Sequence, residues 1–180
     1  MPKYIAFLKA INVGGHTVKM DHLKKLFKQM SFEKVKTFIA SGNVIFETKT
    51  KNVESIKKKI ETELEKSLGY KVATFIRTTK ELKVISEYKP FEESDLSNEQ
   101  NYLYIGFLDN QLDKDSQKKA LALSDKANEF HFNNKEMYWL CRKNFSDSGI
   151  SGKTLEKTLG MEITIRNSTT IKKIVLKYCS

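Results

Sequence analysis

Gly14 and Gly15 close the run Tyr4–Gly15, YIAFLKAINVGG, which reads as a strand leading into a polar glycine loop. Residues with helical spacing begin shortly afterwards, at Met20. A strand, a glycine turn and a helix start together bring backbone N–H groups to one point, which suits a phosphate or a carboxylate. Asn12, His16 and Lys19 flank the glycines and add side-chain donors. A second small-residue bend, Ser41-Gly42-Asn43, adds a hydroxyl and an amide. Both bends also read as plain structural turns, in which asparagines tie up backbone groups. No GK[ST] follows the glycines and there is no GxGxxG, so neither a P-loop nor a dinucleotide fingerprint is present.

Nucleophilic chemistry would need a nucleophile, a base and a group that orients the base. Of the histidines, His22 lies on a lysine-rich helix, and His131 alternates with Phe130 and Phe132 and so faces outward. His16 with Ser41 is the one serine–histidine pairing, and Asp21 is a weak candidate to orient it. No catalytic residue is therefore assigned. Cys141, close to Trp139 in a strand, reads as core, and Cys179 lies at the chain's end. Neither belongs to a CxxC pair, and no cysteine–histidine cluster has metal spacing, so no metal or cofactor is expected.

All three arginines, Arg77, Arg142 and Arg166, fall at predicted strand ends. Arg77-Thr78-Thr79 and Arg166-Asn167-Ser168 stand in corresponding places, each just before a helix start. A rigid fork of donors beside the positive end of a helix suits an anion. The structural alternative is an arginine paired with a local acid such as Glu162, or bonded to strand-end carbonyls.

The positioning elements follow from pattern. The chain has 180 residues, 39% of them hydrophobic, enough for a core in one domain or two small ones. No apolar run approaches the roughly 20 residues needed to span a bilayer, and the start lacks a signal-peptide cleavage pattern. Two cysteines outside any framework imply a reduced, cytoplasmic protein. The net charge of +10 invites nucleic acid, although with three arginines among 32 basic residues the excess is lysine, which also reads as a solvated surface.

Strand 1 covers about 3–11 and helix 1 about 20–29, with Leu23, Leu26, Phe27 and Met30 as its apolar stripe. Strands at about 34–40 and 43–48 meet at Ser41-Gly42. A helix follows at 53–68, capped by Asn52 and ended by Gly69, then a strand at 71–77 and a short helix at 80–87 with a Thr78/Glu81 capping box. The polar stretch 89–100 reads as a linker between a first half, 1–88, and a second, 101–180. The second half repeats the order. Strand 101–108 and helix 114–127, capped by Asp113, precede strands 128–132 and 135–142 around Asn133-Asn134. Helix 154–159, strand 161–166 and helix 168–178, capped by Asn167, complete it.

The repetition lies in element order, without convincing sequence identity between the halves. The expected fold is α+β: two tandem ferredoxin-like halves, each βαββαβ plus a helix, with antiparallel sheets packed together. In that topology strands 1 and 3 are neighbours, so the bends Asn12–His16 and Ser41–Asn43 converge at one sheet end. An RNA platform fits poorly, because NVIFET on strand 3 lacks the basic-glycine-aromatic signature and its open face is expected to be buried.

At INVGG, SGNVIF and TIRNSTTIKKI the chain resembles the bacterial domain-of-unknown-function family 1697. Leu8–Gly15 with Lys19-Met20, Ser41-Gly42-Asn43, and Arg166-Asn167 with Thr170 carry the likeness, which spans the chain. Lys9-Ala10 depart from a common arginine-glycine, and Ser168 stands where tryptophan often sits. The resemblance implies a compact α+β cytoplasmic protein and transfers no activity.

The resulting expectation is a cytoplasmic, anion-binding protein that holds a phosphate-bearing ligand, a nucleotide or nucleic acid. Its site would use Asn12, Gly14, Gly15, His16, Lys19, Ser41, Gly42 and Asn43, with Arg166 and Asn167. The alternatives are a small-molecule enzyme using the same loops, or a protein-interaction module with Phe91 and Tyr102 as contacts.

Overall fold

The computed structural model describes residues 1–143 and 147–180. Its elements run β1 (Lys3–Leu8), α1 (Met20–Gln29), β2 (Glu33–Thr37), β3 (Asn43–Glu47), α2 (Val53–Leu68), β4 (Thr74–Thr78), α3 (Thr79–Glu87) and α4 (Glu93–Leu96). They continue with β5 (Tyr102–Phe107), α5 (Lys114–Leu121), β6 (Asn128–Asn133), β7 (Glu136–Cys141), α6 (Gly152–Leu159), β8 (Thr164–Asn167) and α7 (Ser168–Tyr178). The chain divides into two units, residues 1–83 with 174–180 and residues 84–173. Each holds one four-stranded antiparallel sheet, ordered β2-β3-β1-β4 in the first and β6-β7-β5-β8 in the second.

In the first unit β1 has the central place its apolar pattern demands. Tyr4, Ala6 and Leu8 join Val44 and Phe46 of β3, and Leu23, Phe27, Ile56, Ile60 and Leu64 of α1 and α2 cover them. Ile5 and Phe7 on the other face are also fully buried, as are their neighbours Ile45 and Phe75. α2 begins where the Asn52 side chain accepts the Ser55 N–H at 2.9 Å, one of the orphan donors of a helix start. The Thr78/Glu81 capping box is made in both directions, Thr78 N–H to Glu81 and Glu81 N–H to Thr78 Oγ1.

The second unit gathers its core on Trp139 with Phe130, Met137, Leu155, Leu159 and Ile163. The indole N–H of Trp139 donates to Asn128 Oδ1 at 2.9 Å, which removes the cost of burying it. Ser151 caps α6 through Thr154 N–H at 3.1 Å.

Strand pairing exposes a repeat that sequence comparison of the halves misses. Ile5 of β1 lies opposite Arg77 of β4, and Ile105 of β5 lies opposite Arg166 of β8. On that register Tyr4–Leu8, YIAFL, matches Tyr104–Leu108, YIGFL. The one difference, Gly106 for Ala6, has a packing cause, since a Cβ at Gly106 would run into Ile163.

Several boundaries differ from expectation. α5 stops at Leu121 and not near 127, because Asp125 takes the N–H groups of Ala127 and Asn128 at 2.8 and 2.9 Å and makes a turn. The polar stretch 89–100 contains the short α4, with Lys89 paired to Glu93 at 3.1 Å. Among the described residues no helix is long and apolar enough to cross a membrane.

Candidate functional site

β1 pairs with β3 from Lys3↔Glu47 to Phe7↔Asn43, so the loop leaving β1 and the bend entering β3 share one end of the first sheet. The backbones touch there. Leu8 N–H donates to Gly42 O at 2.8 Å, and Asn12 Nδ2 donates to Ala40 O at 2.6 Å. A Cβ at Gly42 would lie 2.6 Å from Ile11 Cγ2, so only glycine permits this approach. Gly14 and Gly15 are different: both have positive φ, yet a Cβ at either would meet nothing within 4 Å. They serve the conformation of an exposed loop and leave open space above it.

The two asparagines hold this geometry. Asn12 Oδ1 accepts Val18 N–H at 2.6 Å while its amide grips Ala40, so one side chain ties the loop both to α1's approach and to the facing bend. Asn43 is fully buried, and its Nδ2 donates to Phe38 O at 2.8 Å and to Ser41 Oγ at 2.9 Å. Both amides are thus engaged in stitching the bends. His16 is exposed and stacks on Tyr70, with ring centres 3.8 Å apart and planes 23° from parallel. Burial pushes the Tyr70 phenol upward.

Lys19 is the N-cap residue of α1 and forms no side-chain capping bond. Asn52, Asp113 and Ser151 do cap α2, α5 and α6. The first N–H groups of α1 therefore lack the side-chain partner that those helices have, in a turn that also carries Asp21 and begins five residues after Gly15.

Arg166 and Asn167 belong to the second unit, whereas the two bends belong to the first. Arg166 is 7% exposed; its Nη1 donates to Thr164 Oγ1 at 2.8 Å and to Ile165 O at 3.0 Å. Burial pushes its guanidinium down to about 10. Arg77 likewise donates to its neighbouring strand carbonyl, Ile76 O, at 2.9 Å. Asn167 Oδ1 accepts Thr169 N–H at 2.9 Å at the start of α7. It also lines a cleft of about 780 Å³ in the second unit, with Tyr88, Lys89, Glu93, Asn101 and Lys172. Tyr102, singled out in the sequence as an interaction contact, lines the same cleft. Among the described residues no group of three or more His, Cys, Asp or Glu could hold a metal ion.

Charge is divided unevenly between the units. Residues 1–83 with 174–180 carry 19 Lys and Arg against 8 Asp and Glu, a net of +11. Residues 84–173 carry 13 against 14, a net of −1. The chain's whole positive excess therefore lies in the unit that contains the glycine loop.

The family model described as "Protein of unknown function (DUF1697)" matches residues 1–138. The solved structure of the conserved bacterial protein SP0830 from Streptococcus pneumoniae is similar to this chain at a TM-score of 0.76 with 21% identity. That match covers 98% of this chain and 97% of the other, and shows a common fold. No curated protein matches the chain.

Proposed function

The chain belongs to the family of proteins of unknown function DUF1697, and from that premise we propose that its first unit binds a phosphate-bearing ligand, a nucleotide or nucleic acid, at the Gly14-Gly15 loop. The observation that carries this is the net charge of +11 on the unit holding the loop, beside −1 on the other. A field of one sign concentrates anions around the surface that bears it. The open space over Gly14 and Gly15 and the uncapped start of α1 give a phosphate oxygen a place to accept N–H groups. Lys19 and the exposed His16 lie in the chain between Gly15 and α1.

In this reading Asn12, Ser41, Gly42 and Asn43 position the loop and do not touch the ligand, because the asparagine amides already hold backbone carbonyls. Arg166 and Asn167 fall outside it, being in the second unit. The connection order in each unit reads as ferredoxin-like. Cys141 and Cys179 are both free thiols, which favours a reducing, cytoplasmic setting.

Thermal unfolding with inorganic phosphate, pyrophosphate and a nucleoside triphosphate tests the proposal. Saturating ligand is expected to raise the midpoint by several degrees, the effect of about 2.7 kcal/mol at a hundredfold excess over Kd. Gly15→Val, which puts a branched side chain at a positive φ, is expected to abolish the shift. The absence of any shift with all three ligands would overturn the reading.

A further inference from the structure

We propose that one flank of α2, with the outer face of α1, binds the sugar–phosphate backbone of nucleic acid without reading its sequence. This deepens the reading above and rests on the same charged unit, but it uses residues outside the glycine loop. Helical residues three and four apart share a flank. Ile56, Ile60 and Leu64 form the buried stripe of α2. Beside it, Ser55, Lys59, Thr62 and Lys66 follow one another at those spacings, and all four are exposed. This flank holds two cations and two hydroxyls; Glu63, four residues after Lys59 and three before Lys66, is its one carboxylate and is half-buried. The other three acids, Glu54, Glu61 and Glu65, collect on the other side, where Glu61 accepts Thr74 N–H of β4 at 3.0 Å.

Contacts within the unit fix the direction of the basic flank. Lys59 Nζ lies 5.5 Å from the centre of the Phe32 ring, in the segment that follows α1. α1 itself presents Lys25 and Lys28 to solvent, with Asp21 at its start as its only acid. Lysines and hydroxyls grip phosphate and sugar oxygens, and the arginine and amide side chains that make most two-pronged base contacts are missing from this flank. Lys59 and Lys66 are separated by about 10 Å of helix rise, more than one phosphate can bridge, which favours a polymer. A membrane surface would want apolar side chains to insert, and the flank offers none.

The test is fluorescence anisotropy of the whole chain with a labelled oligonucleotide of about 20 nucleotides, single-stranded and duplex, between about 50 and 200 mM salt. Lys25, Lys28, Lys59 and Lys66 meeting one phosphate each give a slope of log K on log salt between about −3 and −4. Lys59→Ala with Lys66→Ala is expected to flatten that slope by about 2 and to weaken binding at least about tenfold at the lowest salt. Lys118→Ala with Lys119→Ala on α5 removes the same charge from the other unit and is expected to leave both unchanged. Gly15→Val separates this inference from the one it rests on, since it should cancel the nucleotide thermal shift and keep the oligonucleotide slope. Equal losses from the two double variants would mean that bulk charge, not the flank, does the binding. That result would overturn the inference, as would failure to bind either oligonucleotide, or capture of anionic phosphatidylglycerol vesicles without oligonucleotide binding.

Discussion

Ala10 sits at φ 55°, a left-handed backbone in which an alanine Cβ costs about 1–2 kcal/mol. Glycine is what the family resemblance implies at this position, and the backbone supplies the reason. Ala10→Gly relieves the clash but adds freedom to the unfolded chain worth roughly 0.5–1 kcal/mol, so a net gain of up to about 1 kcal/mol is expected in urea denaturation. Gly42 behaves oppositely. Its φ of 86° and the 2.6 Å approach to Ile11 Cγ2 mean that Gly42→Ala loses about 2 kcal/mol or more on the same measurement. The convergence of these two bends was legible in the sequence, because the element order makes strands 1 and 3 neighbours. The use of the Asn12 and Asn43 amides was legible as one of two readings, and the choice between them was not, because asparagine at a bend serves a ligand or a carbonyl equally well until the carbonyl's position is known.

The elements that the sequence located best carry their own end signals. α1, α2 and α7 begin and end at the expected residues, since each has an uninterrupted apolar stripe and two have an asparagine before the first turn. α5 was overextended because Ala120–Leu123 continues a helical pattern, while the competing turn at Asp125 is a local hydrogen-bonding choice that periodicity does not register. The cap at the other end of α5 gives a pH prediction. Ser116 N–H bonded to its carboxylate holds Asp113 below the usual range, so its contribution is present above the unfolded value of about 3.9 and fades as pH falls through the lower folded value. Asp113→Asn keeps an acceptor at the cap but cannot be protonated there. Urea midpoints taken downward from about pH 5 should therefore show the variant gaining on the parent chain once the pH passes below about 4.

On the scale of the molecule, chain order and structural grouping part company at the C-terminus. Residues 174–180 belong with the first unit although the second unit precedes them in the chain. Position in the sequence does not announce this, and the expected division at 89–100 followed composition. The attachments are specific. Ile174 is fully buried, Lys3 Nζ donates to Tyr178 O at 3.2 Å, and the Phe38 and Tyr178 rings meet edge to face with centres 6.2 Å apart. Phe38 also lends its carbonyl to Asn43, so the bend entering β3 stands on a residue that the C-terminal helix supports. Ile174→Ala is accordingly expected to cost about 2–5 kcal/mol by urea denaturation, the range for an aliphatic side chain removed from a core. Tyr178→Ala, a smaller loss, should act on the candidate site at a distance by loosening Phe38 and the Ser41–Asn43 bend. Amide hydrogen exchange resolves the two effects. Faster exchange at Phe38 and Leu8, whose N–H groups donate to Asn43 O and Gly42 O, should appear in Tyr178→Ala while the α2 amides keep their protection. Unchanged exchange at both positions would show that the bend is held by Asn12 and Asn43 alone, and that the last helix steadies the first unit without reaching its loop.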